Sequence, residues 1–201
     1  SAPSHTMKTL TPWLLALLAA ANLPLLTGTP ATALVFDAKA IACGEVWRIL
    51  THPFVHVSLY HAVLDAGAFL LLWALRPEPH RLAADAAVMA TLMAGSLAGA
   101  IAAGLPPGGF CGLSGVAHGL MAWQGVRWIR DRDPVSRRIG CAIVLVVLGK
   151  SIIETITGTV ILSGMHAGVV GTPIAACHLG GALAGALLGA TKRLRSTRVC
   201  G

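Results

Sequence analysis

The sequence predicts an all-α membrane protein folded as a compact bundle of six transmembrane helices. Hydrophobic residues make up 55% of the 201 residues and charged residues only 11%, whereas a soluble domain carries about 25% charged residues. The apolar residues also fall into long blocks, close to the ~20 residues that cross a bilayer. We therefore interpret residues 7–201 as one membrane domain. Residues 1–6 precede Met7 and are interpreted as a cloning remnant.

Six apolar blocks define the expected helices, and the breaks between them contain proline, glycine or clustered charges. The first block could pass for a signal peptide, but five more follow it, so we interpret it as the first span. The fourth block is short and begins in glycine, which predicts a helix that starts below the membrane surface. The spans are expected at residues 10–27, 54–75, 82–104, 114–130, 139–162 and 170–191.

The distribution of positive charge predicts the orientation of the bundle. Twelve of the 15 Lys and Arg residues lie on one side of the predicted spans. Lys39 and Arg48 lie on the other side, and Lys150 lies inside a span. The positive-inside rule then makes both termini cytoplasmic. Because the charges cluster at helix ends, the net charge of +7 indicates a lipid bilayer as partner rather than nucleic acid.

Small residues recur at four-residue spacing, which lets helix backbones approach closely in lipid. We interpret these glycines as packing residues, and the absence of a convincing internal repeat disfavours an inverted-repeat transporter. The glycines are Gly95/Gly99, Gly115/Gly119 and Gly181/Gly185/Gly189.

Cysteines give little indication of chemistry. The five cysteines show no CxxC spacing, so a zinc or redox site is unsupported. Cys43 and Cys111 both fall on the predicted outer side, and they are therefore candidates for a disulfide.

Polar groups inside a membrane are costly and indicate function. Ser114, in Gly112-Leu-Ser-Gly115, lies at the outer mouth of the fourth span, where nearby backbone N–H groups can stabilise an oxyanion. A serine there is also a common helix cap. His178 lies roughly eight residues into the sixth span, about 12 Å deep. The two could meet as nucleophile and general base, although an intramembrane His can also bind a metal or a neighbouring helix.

Two further polar groups lie in the second and fifth spans. His61 and Asp65 are four residues apart and share a helix face, as do His52 and His56. They could donate to developing negative charge or hold a metal. In the fifth span, Lys150 and Glu154 are one turn apart, and we interpret them as a structural ion pair.

Taken together, these motifs resemble the rhomboid family of intramembrane serine proteases over nearly the whole chain from about residue 44. Each motif is common alone, but their order and helix positions make chance similarity implausible. The matching segments are Gly44-Glu-Val-Trp-Arg-Ile-Leu-Thr51, the second-span histidines, the GxSG motif at Gly112–Gly115, and the HxxGxxxG pattern of His178, Gly181 and Gly185.

The resemblance implies a Ser114–His178 dyad with no acid member and with no metal or organic cofactor. It also implies that His61, residue 65 and the Ser114 backbone N–H lie by the oxyanion, beside Gly112. It further implies that Trp47 and Arg48 anchor the first outer loop.

Two departures from the common rhomboid pattern indicate a branch. Asp65 replaces the usual asparagine, and His118 stands where many rhomboids place an aromatic under the catalytic histidine. Both are similar to the rhombosortase branch, which processes bacterial surface proteins anchored by a C-terminal Gly-Gly, an apolar helix and a basic tail. The branch implies a multi-pass protein of the bacterial inner membrane whose active site opens to the periplasm.

Four alternatives remain open from sequence. The first is a rhomboid protease acting on other transmembrane substrates. The second is a metal- or haem-binding membrane protein using His52, His56, His61 and His178. The third is an inactive rhomboid that binds transmembrane clients. The fourth is a small transporter whose ion path includes Lys150 and Glu154.

Overall fold

The computed structural model describes residues 9–76, 81–161 and 167–191, and this part of the chain is helical with only one isolated β-bridge. The predicted cloning remnant and the basic residues from Lys192 to Arg198 lie outside the described residues. The described α-helices are α1 (Thr11–Asn22), α2 (Ala38–Ala42), α3 (Arg48–Thr51), α4 (Leu59–Ala74), α5 (Leu82–Ala103), α6 (Ser114–Ile129), α7 (Pro134–Thr157) and α8 (Ala175–Thr191).

Helix caps explain where two of the helices depart from the predicted spans. Helix α4 begins at Leu59 rather than at residue 54, because the Ser58 side chain accepts the N–H of His61. Helix α7 begins at Pro134 rather than at residue 139, because Asp133 caps it and proline suits the first turn. It ends where Gly158 adopts a left-handed conformation with φ of 68°.

Two of the described helices, α5 and α7, are long and apolar enough to cross a bilayer alone. A third candidate span combines residues 48–54 with α4, across a bend of 94°. The other long helices, α1, α6 and α8, have 12, 16 and 17 residues, which is shorter than the predicted blocks. The structure therefore supports an all-helical membrane fold, in which only part of the bundle has full spanning length.

Helix α8 packs between α5 and α6 through glycine, as the four-residue spacing predicts. A Cβ added at Gly181 would lie 1.9 Å from the carbonyl oxygen of Gly115, and one at Gly185 would lie 1.9 Å from that of Gly119. On the α5 side, a Cβ at Gly180 would lie 2.2 Å from the oxygen of Gly95. These helices touch backbone to backbone, which fixes the relative positions of the residues they carry.

The segment between α1 and α4 is held by the residues that the Trp-Arg motif contains. The Arg48 guanidinium donates to the carbonyls of Thr32 (2.7 Å) and Val35 (2.8 Å). The Trp47 indole donates to the carbonyl of Ala33 at 3.1 Å. Both side chains therefore hydrogen-bond to the backbone of this loop.

A backbone bridge joins the same segment to the loop before α6. Phe36 and Phe110 exchange two N–H···O=C bonds of 3.0 Å each. Cys43 is exposed, Cys111 is partly buried, and both are free thiols, so the structure does not pair them as a disulfide.

Candidate active site

Ser114 and His178 meet at the ends of two tightly packed helices. Ser114 is the first residue of α6, and His178 lies in the first turn of α8. The serine Oγ lies 3.2 Å from His178 Nε2. His178 is only 6% exposed, so its ring is held by protein rather than by solvent. The structure thus brings together the two residues predicted to act as nucleophile and base.

The first difference from the sequence interpretation concerns Glu154. The predicted ion pair exists, since Lys150 Nζ lies 2.7 Å from Glu154 Oε1. The other carboxylate oxygen, Oε2, lies 2.8 Å from His178 Nδ1. The expectation that His178 has no acidic partner is therefore wrong. Lys150 is the nearest charged neighbour of Glu154 in the sequence, but a carboxylate has two oxygens, and here it accepts from Lys150 and from His178.

Helix position was the signal that could have identified Glu154. It lies one turn before the end of α7, while Ser114 and His178 lie at the starts of α6 and α8. In a bundle whose consecutive long helices run antiparallel, these three positions share one end. A carboxylate at that depth could have been weighed as a partner for the histidine.

His118 and Lys150 complete the surroundings of the serine–histidine pair. The His118 ring stacks on His178 with centroids 4.1 Å apart and an interplanar angle of 9°. His118 Nδ1 lies 2.8 Å from the carbonyl oxygen of Ser114, and its Nε2 lies 3.1 Å from Lys150 Nζ. His118 therefore lies under the histidine, in the position that the resemblance gives to an aromatic side chain.

On the other side of the serine, Asp65 collects two hydrogen bonds. Its Oδ2 lies 3.1 Å from His61 Nε2 and accepts the backbone N–H of Ser114 at 3.1 Å. The expected grouping of His61, residue 65 and the Ser114 amide is present. Both donors point at a carboxylate oxygen, however, and the bond from the Ser114 amide to Asp65 was not anticipated from sequence.

Gly112 is required at its position for two reasons. Its φ is +108°, a region that L side chains rarely adopt. A Cβ there would also lie 3.0 Å from Asp65 Oδ2 and 3.2 Å from His61. The Gly112 N–H donates to the carbonyl of His52 at 3.1 Å, which fixes the loop that leads into Ser114.

His52 and His56 do not join His61 and His178 in the four-histidine metal site considered from sequence. His52 Nδ1 faces the carbonyls of Arg48 and Ile49, and its ring packs against Phe36 and Phe110. His56 Nδ1 lies 3.0 Å from Asn22 Oδ1. Both therefore serve the loop and α1 rather than a common centre with His178.

One group among the described residues has metal-ligand spacing, and it coincides with the serine site. His118, Glu154 and His178 place one ligand atom each within 4.8 Å of one another. The Lys150 ammonium contacts both His118 and Glu154, so a positive charge already occupies the position beside these atoms. The donor set is therefore poorly suited to a cation.

A cavity of about 690 Å³ opens onto the serine. Ser114, His178, His61 and Asp65 line its polar part, and the loops at residues 106–111 and 170–174 contribute to its apolar walls. This volume lies within the range of ~300–1,000 Å³ typical of ligand sites. The cavity is therefore large enough to hold part of a ligand beside Ser114.

The geometry supports acyl-transfer chemistry, since a serine hydroxyl faces a histidine nitrogen and N–H donors lie on the other side. Comparison with known families agrees with this assignment. The family model described as the Rhomboid domain matches residues 43–195. No curated protein and no solved structure matches the chain.

Proposed function

This chain belongs to the rhomboid family, whose members are membrane-embedded serine proteases, and we propose that Ser114 is its nucleophile and His178 its general base. The 3.2 Å separation between Ser114 Oγ and His178 Nε2 carries this proposal. His178 Nδ1 is engaged by a carboxylate and must donate to it, so the Nε2 lone pair faces the serine hydroxyl. This is the arrangement that proton abstraction requires.

The reaction follows from this geometry. His178 takes the Ser114 proton as Oγ attacks the scissile carbonyl carbon, which gives a tetrahedral intermediate and an imidazolium. The intermediate collapses as the C–N bond breaks, and His178 returns the proton to the leaving amine. Water entering through the cavity then attacks the acyl-enzyme while His178 accepts its proton, which gives a second tetrahedral intermediate. This intermediate collapses as the bond from the acyl carbon to Ser114 Oγ breaks, His178 returns the proton to Oγ, and the carboxylic acid product leaves.

We assign the oxyanion to the space between His61 and the Ser114 backbone N–H. Both groups now donate to Asp65 Oδ2, so this carboxylate oxygen marks a point where two donors converge on negative charge. Donors aimed at such a point stabilise a tetrahedral intermediate. The oxyanion must compete with Asp65 for these donors, which makes Asp65 a supporting residue that holds them in place before substrate arrives.

The proposal includes the architecture inferred from sequence. Residues 7–201 form one six-span bundle with cytoplasmic termini, and the cavity opens to the periplasmic side of a bacterial inner membrane. Ser114, Glu154 and His178 share one end of the bundle, and the basic residues between positions 127 and 138 stand at the other end of α6 and α7. The positive-inside rule supports a cytoplasmic position for that basic end. Cysteine tagging of residue 132 should detect it on the cytoplasmic side, and labelling of that position from outside refutes the topology.

The rhombosortase branch is the favoured sub-assignment, with C-terminally anchored proteins as substrates. Asp65 and His118 support it, because they are the two departures from the common rhomboid pattern that are similar to this branch. Both contact the backbone of Ser114. A membrane reporter ending in Gly-Gly, an apolar helix and a basic tail should be cleaved faster than the same reporter without Gly-Gly. Equal cleavage of both favours a general rhomboid protease.

Labelling by a fluorophosphonate probe tests the nucleophile directly. The wild type should be labelled, and Ser114→Ala and His178→Ala should each abolish labelling and reporter cleavage, since members of one catalytic unit act non-additively. Ser136→Ala, which removes a hydroxyl at the opposite end of α7, is the matched control and should label normally. Labelling of Ser114→Ala at the wild-type rate overturns the assignment.

A further inference from the structure

We infer that Glu154 is a positioning residue that completes a Ser114–His178–Glu154 triad, an inference that rests on the proposed function. The carboxylate fixes which nitrogen of His178 carries the proton, and it balances the positive charge that His178 acquires during catalysis. Lys150 and His118 in turn hold the carboxylate and the ring in place.

The first observation is the contact on His178. Its Nδ1 lies 2.8 Å from Glu154 Oε2, and its Nε2 lies 3.2 Å from Ser114 Oγ. An ionised carboxylate can only accept, so Nδ1 carries the hydrogen and Nε2 is left as the acceptor for the serine hydroxyl. Glu154 is fully buried, so solvent does not compete for this bond.

The second observation is that the other oxygen of Glu154 is held by two donors. Oε1 lies 2.7 Å from Lys150 Nζ and accepts the backbone N–H of Ile161 at 2.8 Å. A buried carboxylate needs such partners to remain charged. Together they fix the carboxylate plane, and Oε2 is thereby directed at His178.

The third observation is that these contacts close into a ring that begins and ends on Ser114. Lysine has no acceptor, so the nitrogen of His118 facing Lys150 at 3.1 Å must accept. His118 Nδ1 then donates to the carbonyl of Ser114 at 2.8 Å. Each contact around the circuit from Ser114 through His178, Glu154, Lys150 and His118 therefore pairs one donor with one acceptor.

The charges on the residues of this hydrogen-bond circuit give Glu154 its role in the reaction. Proton transfer from Ser114 makes His178 an imidazolium in a buried site where Lys150 is already positive. Glu154 lies between these two cations and contacts both. Without it, the reaction would place a second positive charge near an unbalanced ammonium in a medium of low dielectric.

The same contacts predict how a glutamine behaves at this position. Lys150 and the Ile161 N–H both require an acceptor, so the amide oxygen of Glu154→Gln should face them. The amide NH₂ then faces His178 Nδ1, which must become the acceptor. The proton of the imidazole ring then lies on Nε2, so this nitrogen cannot accept the proton of Ser114. In a serine protease triad, the corresponding Asp-to-Asn change lowers kcat about 10⁴-fold through the wrong tautomer.

The experiment compares four proteins reconstituted in detergent: wild type, Glu154→Gln, Glu154→Asp and Lys150→Met. We expect Glu154→Gln to lower kcat and the fluorophosphonate labelling rate of Ser114 by about 10²–10⁴-fold with KM nearly unchanged. Glu154→Asp keeps the charge and should recover part of the rate. Lys150→Met breaks the same ion pair but leaves a carboxylate on His178, so it should retain more activity than Glu154→Gln.

The Lys150→Met/Glu154→Gln double variant separates positioning from structure. If Glu154 serves only as the partner of Lys150, removing both charges should restore activity along with the melting temperature. The triad instead predicts that activity stays low while stability recovers. Wild-type labelling rates in Glu154→Gln overturn the triad and leave the proposed function intact. If Ser114 of the wild type is not labelled at all, the proposed function falls and the triad falls with it.

Discussion

The close approach of α8 to α6 makes the Ser114–His178 distance sensitive to a single methyl group. Gly181 lies one turn after His178, and a Cβ at this position would lie 1.9 Å from the carbonyl oxygen of Gly115, the residue after Ser114. Carbon–oxygen contacts in proteins lie at about 3.3–3.6 Å. In Gly181→Ala the two helices must therefore separate by about 1.4 Å at this point, because a backbone oxygen cannot rotate away.

This displacement should lower the catalytic rate strongly while lowering the stability of the folded protein only moderately. The Ser114–His178 contact of 3.2 Å would open by about 1 Å, and a misplacement of that size lowers the rate about 10²-fold. Overpacking in a well-packed interior destabilises by about 1–3 kcal/mol, which should lower the melting temperature without unfolding the protein at 25 °C. The assay is the fluorophosphonate labelling rate of the folded protein, measured with its thermal unfolding curve.

Gly67→Ala provides the matched control. Gly67 lies inside α4, and a Cβ there would meet no atom within 4 Å. Since alanine is favoured over glycine in a helix by about 1 kcal/mol, this variant should match or exceed wild-type stability and should label at the wild-type rate. A Gly181→Ala protein that labels as fast as Gly67→Ala would refute the argument that backbone contact sets the Ser114–His178 distance.

Three further predictions concern residues around the site. Asp65→Asn keeps an acceptor for His61 or for the Ser114 N–H and should retain much of the cleavage rate. Asp65→Ala should lose more of it, because both buried donors lose their acceptor, which costs about 1–3 kcal/mol for each buried group. A nearly unchanged cleavage rate in Asp65→Ala would contradict the supporting role. Arg48→Ala should lower the melting temperature and increase proteolysis of the first outer loop, because the carbonyls of Thr32 and Val35 lose their donor. Unchanged proteolysis would show that contacts other than those of Arg48 hold the loop. The hydrogen bond from the Ser136 N–H lowers the pKa of Asp133, so the Asp133 cap stabilises α7 fully above the ordinary carboxyl pKa and is lost as the pH falls through the lowered pKa. Asp133→Ala should therefore have a lower melting temperature than the wild type at neutral pH and the same melting temperature in acid. Its activity should be unchanged.

Much of the bundle follows from patterns in the sequence, because apolar blocks and their breaks obey local rules. The predicted blocks at 82–104 and 114–130 end within one residue of α5 and α6. The block expected at 139–162 failed at both ends. Its start is set by the Asp133 cap and Pro134, and its end by the left-handed Gly158, whereas the hydropathy pattern followed the apolar side chains alone.

The serine site was predictable to the extent that its residues stand in recognisable motifs. Ser114 and His178 each carry glycines at fixed spacing, and these motifs directed attention to them. Glu154 stands in no motif, and an ion pair with Lys150, its nearest charged neighbour in the sequence, is enough to account for a charge at this position. Its contact with His178 joins positions 24 residues apart, and only the packing of α7 against α8 reveals it. The bond between Asp65 and the Ser114 N–H spans 49 residues and was missed for the same reason.

The glycine contacts between α6 and α8 also bear on how such a protein can diversify. The spacing of nucleophile and base is set by main-chain contacts between glycines of the two helices. Loops at residues 106–111 and 170–174 contribute to the walls of the cavity, outside these contacts. Mutations in the loops can therefore alter which sequence is accommodated while the reactive pair keeps its alignment, so substrate preference and chemical competence are able to evolve separately.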